Sequence, residues 1–420
     1  MSTVDLRYGR STLAIEYDLD RFEAIAGPGE QRVLSDVEIG KALDHPIDSK
    51  RIEDIVSPGE KVLIAVPDAT RETAAGQIVN LLVRRLIANG TAPGDITIIF
   101  ATGIHRPVTE EEKVRILTPF IAQRIKTINH DARDLASLVR LGETAGGIPV
   151  ELNRALVEHD HVTLVGGVSF HYFAGFTGAR KLVCPGLAGA RTVSATHKRA
   201  FDCDTLSRRE GVDTGVLDGN AVHEVFVEAV NFVDPAFAIN TIVNDHGEAV
   251  EVYCGDWRSS HRAATAAYAE KHTSFILEKR ELVVASCGGS PHDINMIQAH
   301  KTIDASARAC TDGGTLVIFA ECADGLGRND FLDWFDSTAS RDLATRLCEK
   351  YQVNGQTAWN LLRLAETFNI CVVTDLPEDV TKKMRLNKIS ADSAVQMIKA
   401  AQTGGFILPD GAKMNIKLTT

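Results

Sequence analysis

Two apolar runs, KVLIAVP (61–67) and ITIIFA (96–101), flank an amphipathic stretch, and this alternation limits what the first hundred residues can become. Neither run alternates with polar residues, so both faces of each need cover, which is how buried parallel strands read. From Thr70 onward Ile78, Leu81, Leu82, Arg85 and Leu86 recur at helical spacing until Asn89-Gly90 stops them. Strand, helix, strand within about forty residues makes a βαβ unit with its two strands parallel. Thr109 and Glu112 then have the spacing of a capping box, which places His105 in a strand-to-helix loop. A third strand-like run, HVTLVGGVSF (161–170), follows.

The same grammar restarts near Arg280, in ELVVAS (281–286), TLVIFA (315–320) and NICVVT (369–374). A chain of 420 residues is too long for one comfortable core. The expected fold class is therefore α/β: two α/β domains with mainly parallel sheets and the active site in the cleft between them. The expected division is 1–276 and 277–402, with the tail 403–420 packing back onto the first domain. In open parallel sheets ligands bind outside the carboxyl ends of the strands. Three polar clusters fall there: Asp68-Ala69-Thr70-Arg71, Gly103-Ile104-His105-Arg106-Pro107, and the segment from His171 onward.

Hydrophobic residues make up 44% and charged residues 24%, an ordinary globular balance. A formal net charge of -11 opposes binding to a polyanion, so nucleic acid is not an expected partner. No stretch reaches the roughly 18 apolar residues of a membrane helix, and no leader pattern opens the sequence, so a cytoplasmic protein with no membrane association is expected. The eight cysteines are scattered without a CxxC pair, which fits reduced thiols.

Each candidate residue has an ordinary reading beside a chemical one. His105 could be a hydrogen-bonded loop histidine or an acid/base group at a strand end. Arg71 with Asp68 could be a surface pair at a helix start, yet arginine is also the natural bidentate clamp for a carboxylate. His171 lies among aromatics in FHYFAGF, where histidines usually pack. Lys181 in GARKLVCPG is either a solvated lysine or a partly desolvated, nucleophilic one. His105, His171 and His197 could form a zinc site, although no HxxH or HExxH spacing supports it. The glycines of FAGFTGARK and CPGLAGART could cradle a phosphate or belong to a mobile loop. Gln298 and Lys301 share one helix face. Trp359 is carried as a substrate-binding candidate, with a core position as its ordinary alternative.

Five segments, PDATR (67–71), ATGIHRP (101–107), SFHYFAGFTGARKLVCPGLAG (169–189), ATHKR (195–199) and GGSPHDINMIQAHK (288–301), resemble in order the motifs of the lactate racemase family, the nickel-pincer nucleotide enzymes. The resemblance spans roughly residues 60 to 360 and rests most on its long third motif. It implies an isomerase that racemises or epimerises a 2-hydroxy acid by reversible hydride transfer. It also implies a pyridinium-3-thioamide-5-thiocarboxylic acid mononucleotide carrying nickel, attached at Lys181, with His197 as the fourth nickel ligand. His105 and His171 would alternate as acid and base; Asp68, Arg71, Gln298 and Lys301 would hold the substrate. Cofactor-synthesis proteins are implied partners, and a homodimer is left open. Met296-Ile297 stands where lactate-type members tend to have an aromatic, and His292 and His300 add polar groups nearby. Lactate, malate, a longer aliphatic 2-hydroxy acid and an aldonate therefore all remain open as substrates. A zinc hydrolase and a non-catalytic carboxylate-binding protein are the competing classes.

Overall fold

In the computed structural model, which describes residues 1–419, the chain divides into two compact units. The first, Glu30–Ala200 with Arg209–Glu270, is built on a six-stranded sheet. Its order is Ala249–Gly255, Phe237–Val243, His161–Gly167, Val62–Pro67, Ile96–Ala101, Lys126–Asn129, and only the Ala249–Gly255 edge is antiparallel. Val62–Pro67 is buried along its whole length because it packs on both faces. Val62, Ile64 and Val66 meet the helix Ala75–Ala88 through Ile78, Leu82 and Leu86. Leu63 and Ala65 face the opposite core, with Leu182, Val225 and Phe226. That two-sided cover explains why the run carries no polar alternation.

The helix begins at Ala75, not near Thr70. Asp68 Oδ1 accepts hydrogen bonds from the backbone and hydroxyl of Thr70, and Ala74 sits in the left-handed region at φ 52°. Asp68 thus holds the first residues after the strand as a turn, which a helical pattern cannot show in advance.

The second unit, Met1–Gly29, Phe201–Arg208 and Lys271–Thr420, holds an all-parallel sheet in the order Asn387–Lys388, Asn369–Val373, Cys310–Phe319, Arg280–Ser286, Gly405–Leu408, Phe22–Ala24. Three expectations are corrected by it. The tail does not return to the first domain: Gly405–Leu408 lies between two strands of this sheet, and Asn415–Leu418 pairs with Thr273–Ile276. Residues 1–29 are not part of the N-terminal unit. Their hairpin, Ser2–Tyr8 with Ser11–Tyr17, packs Leu6, Ile15 and Tyr17 against Leu282, Val284 and Ile407. Residues 201–208 also leave the N-terminal unit, as the short hairpin Phe201–Asp202 with Ser207–Arg208. These joins link segments hundreds of positions apart, beyond the reach of local periodicity.

The cysteines depart from expectation as well. Cys203 and Cys348 form a disulfide with Cα atoms 5.8 Å apart, while the other six are free and buried.

If the N-terminal hairpin is integral to the C-terminal unit, Leu6→Ala should destabilise it by about 2–5 kcal/mol. In hydrogen exchange the added opening should concentrate in Arg280–Ser286 and Gly405–Leu408; opening confined to Val62–Pro67 would contradict this assignment.

Candidate active site

His161–Gly167, Val62–Pro67 and Ile96–Ala101 are neighbours in the sheet, so the loops at their carboxyl ends are neighbours too. From Val62–Pro67 the chain adds strands on one side and returns later on the other, which makes this a topological switch point where the crevice of an open α/β sheet lies.

Asp68 is 6% exposed, and its Oδ2 receives the Nδ1–H of His105 at 2.7 Å. Burial alone would raise the Asp68 pKa, but the hydrogen bonds from His105 and Thr70 outweigh it and hold the carboxyl below the usual range. A carboxylate on Nδ1 leaves the Nε2 lone pair of His105 as its reactive edge. The imidazole is 54% exposed. Arg71, on the same loop as Asp68, is exposed, and its backbone N–H bonds to Asp68 O at 3.3 Å.

His171 is buried on the two-residue strand Phe170–His171, which pairs with Gly175–Phe176. Its Nδ1 accepts the N–H of Ala174 at 3.3 Å, so the neutral ring carries its proton on Nε2. Phe173 stands edge-on to it at 4.4 Å. Lys181 lies on the short helix Arg180–Val183 with Nζ 6.0 Å from the centroid of Phe173 and 5.7 Å from that of Phe226. His197 contacts the same two rings, at 5.3 and 5.6 Å. Phe173 and Phe226 therefore gather His171, Lys181 and His197 into one cluster, and neither ring was singled out from sequence.

His197 Nδ1–H donates to Val193 O at 2.8 Å, one turn back in the helix Ala190–Lys198. Burial first, and the charge of Lys181 second, push its pKa down to about 3. The ring is thus neutral with a lone pair on Nε2, the state a metal ligand requires.

Two glycines of the segment are required by close packing. A Cβ on Gly175 (φ +74°) would lie 2.0 Å from Val216 O, and one on Gly178 (φ +116°) would lie 2.5 Å from His261 Cδ2. Close packing explains both glycines. Cys184 is fully buried with its thiol pushed up to about 12 by burial, which marks it as packing. Arg180 is the organiser of the segment: its guanidinium donates to the carbonyls of Ala174, Phe176 and Thr177. A 1%-exposed arginine beside a candidate lysine was visible in sequence only as two adjacent cations.

The three-histidine zinc set is not assembled. Among the described residues no group of three or more His, Cys, Asp or Glu side chains could hold a metal ion.

In the C-terminal unit, Lys301 Nζ donates to Gln298 Oε1 at 2.7 Å on the helix Met296–Ala307, whose N-terminus is capped by Asn295. Trp359 is 4% exposed, edge-on to Phe201 at 4.9 Å, inside the core of that unit. Met296 and His300 are fully buried, and His300 Nε2 meets the Asn360 amide at 2.7 Å. The expectation that His300 adds a polar group to a substrate wall is corrected: it lies on the buried face of the helix with Met296, Ala299 and Ile303. No described helix is long and apolar enough to cross a membrane.

Known proteins share both halves of this chain. The model of the lactate racemase N-terminal domain matches residues 8–207 and that of the lactate racemase C-terminal domain matches residues 277–414. The lactate racemase of Thermoanaerobacterium thermosaccharolyticum is 28% identical over 355 residues, covering 83% of this chain and 82% of that protein. The lactate racemase of Lactiplantibacillus plantarum is 28% identical over 433 residues, covering 99% and 100%. The structure of the T. thermosaccharolyticum lactate racemase apoprotein superposes with a TM-score of 0.89 at 26% identity, covering 99% of this chain and all of that one. A Thermotoga maritima protein of 20% identity and TM-score 0.72, covering 93% of this chain and all of its own, shares the fold. With both domain models matched in order, the chain belongs to the lactate racemase family of isomerases.

Proposed function

We propose that the protein racemises or epimerises a 2-hydroxy acid, with a nickel-pincer nucleotide tethered at Lys181 and ligated by His197. The observation that carries this reading is the pair of histidines at neighbouring strand ends, His105 on Asp68 and His171 in the Phe173 cluster with Lys181 and His197. His105 is set with a bare Nε2 by Asp68, and His171 is set with Nε2 protonated by the Ala174 N–H. Interconverting two enantiomers needs an acid/base group for each hydroxyl position; His105 presents a bare Nε2, and His171 supplies its basic nitrogen by giving up its 3.3 Å contact with Ala174 or by exchanging its tautomer.

The residues fit the group. His197 is a neutral imidazole with its Nε2 lone pair uncommitted to Val193, and Lys181 Nζ sits between two aromatic faces beside it. When bound, the nucleotide would supply a hydride acceptor. The protein's own residues do the rest. His105 Nε2 takes the hydroxyl proton of one enantiomer, and the carboxylate of Asp68 stabilises the imidazolium that results. His171 serves the other enantiomer. Arg71, exposed on the Asp68 loop, grips the substrate carboxylate while the carbon it carries is planar. Gln298 and Lys301, paired on the helix Met296–Ala307, are carried as the substrate-binding candidates of the C-terminal unit. The relatives named lactate racemase make lactate the first substrate to try, with malate next. The proposed setting is cytoplasmic, with cofactor-synthesis proteins as partners.

Three tests follow from this geometry. Protein made in a host that supplies the cofactor should show a mass adduct at Lys181 and about one nickel per chain. Lys181→Ala should lose the adduct and the racemisation; full activity without the adduct would overturn the tether. His105→Ala and His171→Ala should each lower turnover by about 10²–10⁴-fold, and Asp68→Asn should do so with little change in KM. Normal turnover in any one of them removes that residue from the mechanism. The third concerns pH. His197 has a folded pKa below its unfolded value of about 6.5. Its neutral ring therefore contributes stability fully present above that value and lost as pH falls toward about 3. Ring carbon shifts of His197 in the cofactor-free protein should stay at their neutral values through pH 5; titration near 6.5 would contradict its burial.

A further inference from the structure

In the N-terminal unit a cavity of about 390 Å³ lies behind the short helix Arg180–Val183, flanked by Ala221–Asn231 and Trp257–His272. It is separate from the cluster around Lys181. Helix Ala221–Asn231 turns Phe226 toward Lys181 Nζ, while His223 and Val227 line the cavity.

Arg180 forms part of the cavity wall, and it is a buried cation without an acid. Its Nε donates to His223 Nδ1 at 2.9 Å, its Nη1 lies 3.0 Å from His261 Nε2, and its remaining hydrogen bonds go to backbone carbonyls. Among the described residues no carboxylate pairs with it. Burial lowers its pKa to about 9, which still leaves it charged near neutrality. A buried charge met only by neutral groups is costly unless an anion reaches it.

His223 supplies the second observation. It is 7% exposed, and because Nδ1 accepts from Arg180 its ring proton sits on Nε2. No described residue partners that Nε2–H, and the side chain faces the cavity. It is a donor fixed in place by Arg180 and open to the cavity, with no acceptor among the described residues.

The other lining groups narrow the occupant. Asp218 is taken by Arg262 at 2.5 Å, Glu224 by the N–H of Gly219 at 3.1 Å and Glu228 by that of Ala145 at 2.7 Å. Arg258 lies over the Trp257 ring at 4.3 Å. Three arginines and three acids leave the lining without net charge, so attraction for an anion comes from Arg180 alone, which suits one negative charge better than a phosphate dianion. Leu217, Val227 and Trp257 give the wall an apolar face for a short carbon chain.

We propose that this cavity is a second ligand site for a short-chain monocarboxylate, with its oxygens on His223 Nε2–H beside the Arg180 charge and its chain against Val227 and Trp257. The site does not depend on the racemase reading or on any cofactor.

Butyrate, which has no 2-hydroxyl, is the probe, added to the cofactor-free protein while the histidine side-chain spectrum and calorimetric heat are followed. The expected result is a saturable shift of the His223 ring signals with millimolar affinity. Val227→Phe, which fills the cavity without removing a polar group, should weaken binding roughly tenfold or more. Should that variant fail to fold, His223→Phe makes the same test by deleting the donor. Arg71→Ala and Lys181→Ala should bind butyrate as the parent does, which separates this site from the proposed racemase site. Binding lost in Arg71→Ala and kept in Val227→Phe would place butyrate at the substrate site and overturn the proposal. The absence of a saturable shift at His223 would overturn it equally.

Discussion

Everything in the candidate site depends on the pairing of Val62–Pro67 with strands on both sides. A parallel strand buried on two faces cannot slip register without turning its apolar residues against the wrong core. That rigidity holds the Asp68 loop between the His105 loop and the segment that begins after His161–Gly167. The 2.7 Å contact from Asp68 to His105 bridges two such loops. It is accurate because the strands beneath it are fixed, not because either loop is stiff by itself.

Burial of imidazole is the second recurring device. His197, His223 and His261 are all more than nine-tenths buried, with their pKa values lowered chiefly by loss of water. Each ring nitrogen's state is then set by its neighbour: Val193 O takes the proton side of His197, and Arg180 takes the lone-pair side of His223. One hydrogen bond prepares His197 to offer a lone pair, and the other prepares His223 to offer a proton. The same side chain is thus held in two opposite states, one set by a backbone carbonyl and the other by an arginine side chain.

Arg180 connects these settings. It precedes Lys181 in the chain and ties down the carbonyls of the segment that carries His171. The tight approach of Gly175 to Val216 and of Gly178 to His261 completes that packing. The segment is therefore tightly packed around His171 and Lys181.

Much of this was legible in the sequence. The apolar runs gave the strand ends, the Thr109 and Glu112 spacing gave a capping box that the structure contains, and the long motif from Ser169 to Gly189 pointed to the family. These are local signals, set by spacing along the chain and by which residue types a turn or a strand tolerates. What only tertiary structure decided lies at long range. The N-terminal hairpin and residues 201–208 join the C-terminal unit, Cys203 finds Cys348, His300 turns into a core, and Arg180 becomes a buried cation facing a cavity. Burial and partner choice follow from segments far apart in sequence meeting in space, and no local pattern records which surfaces those will be.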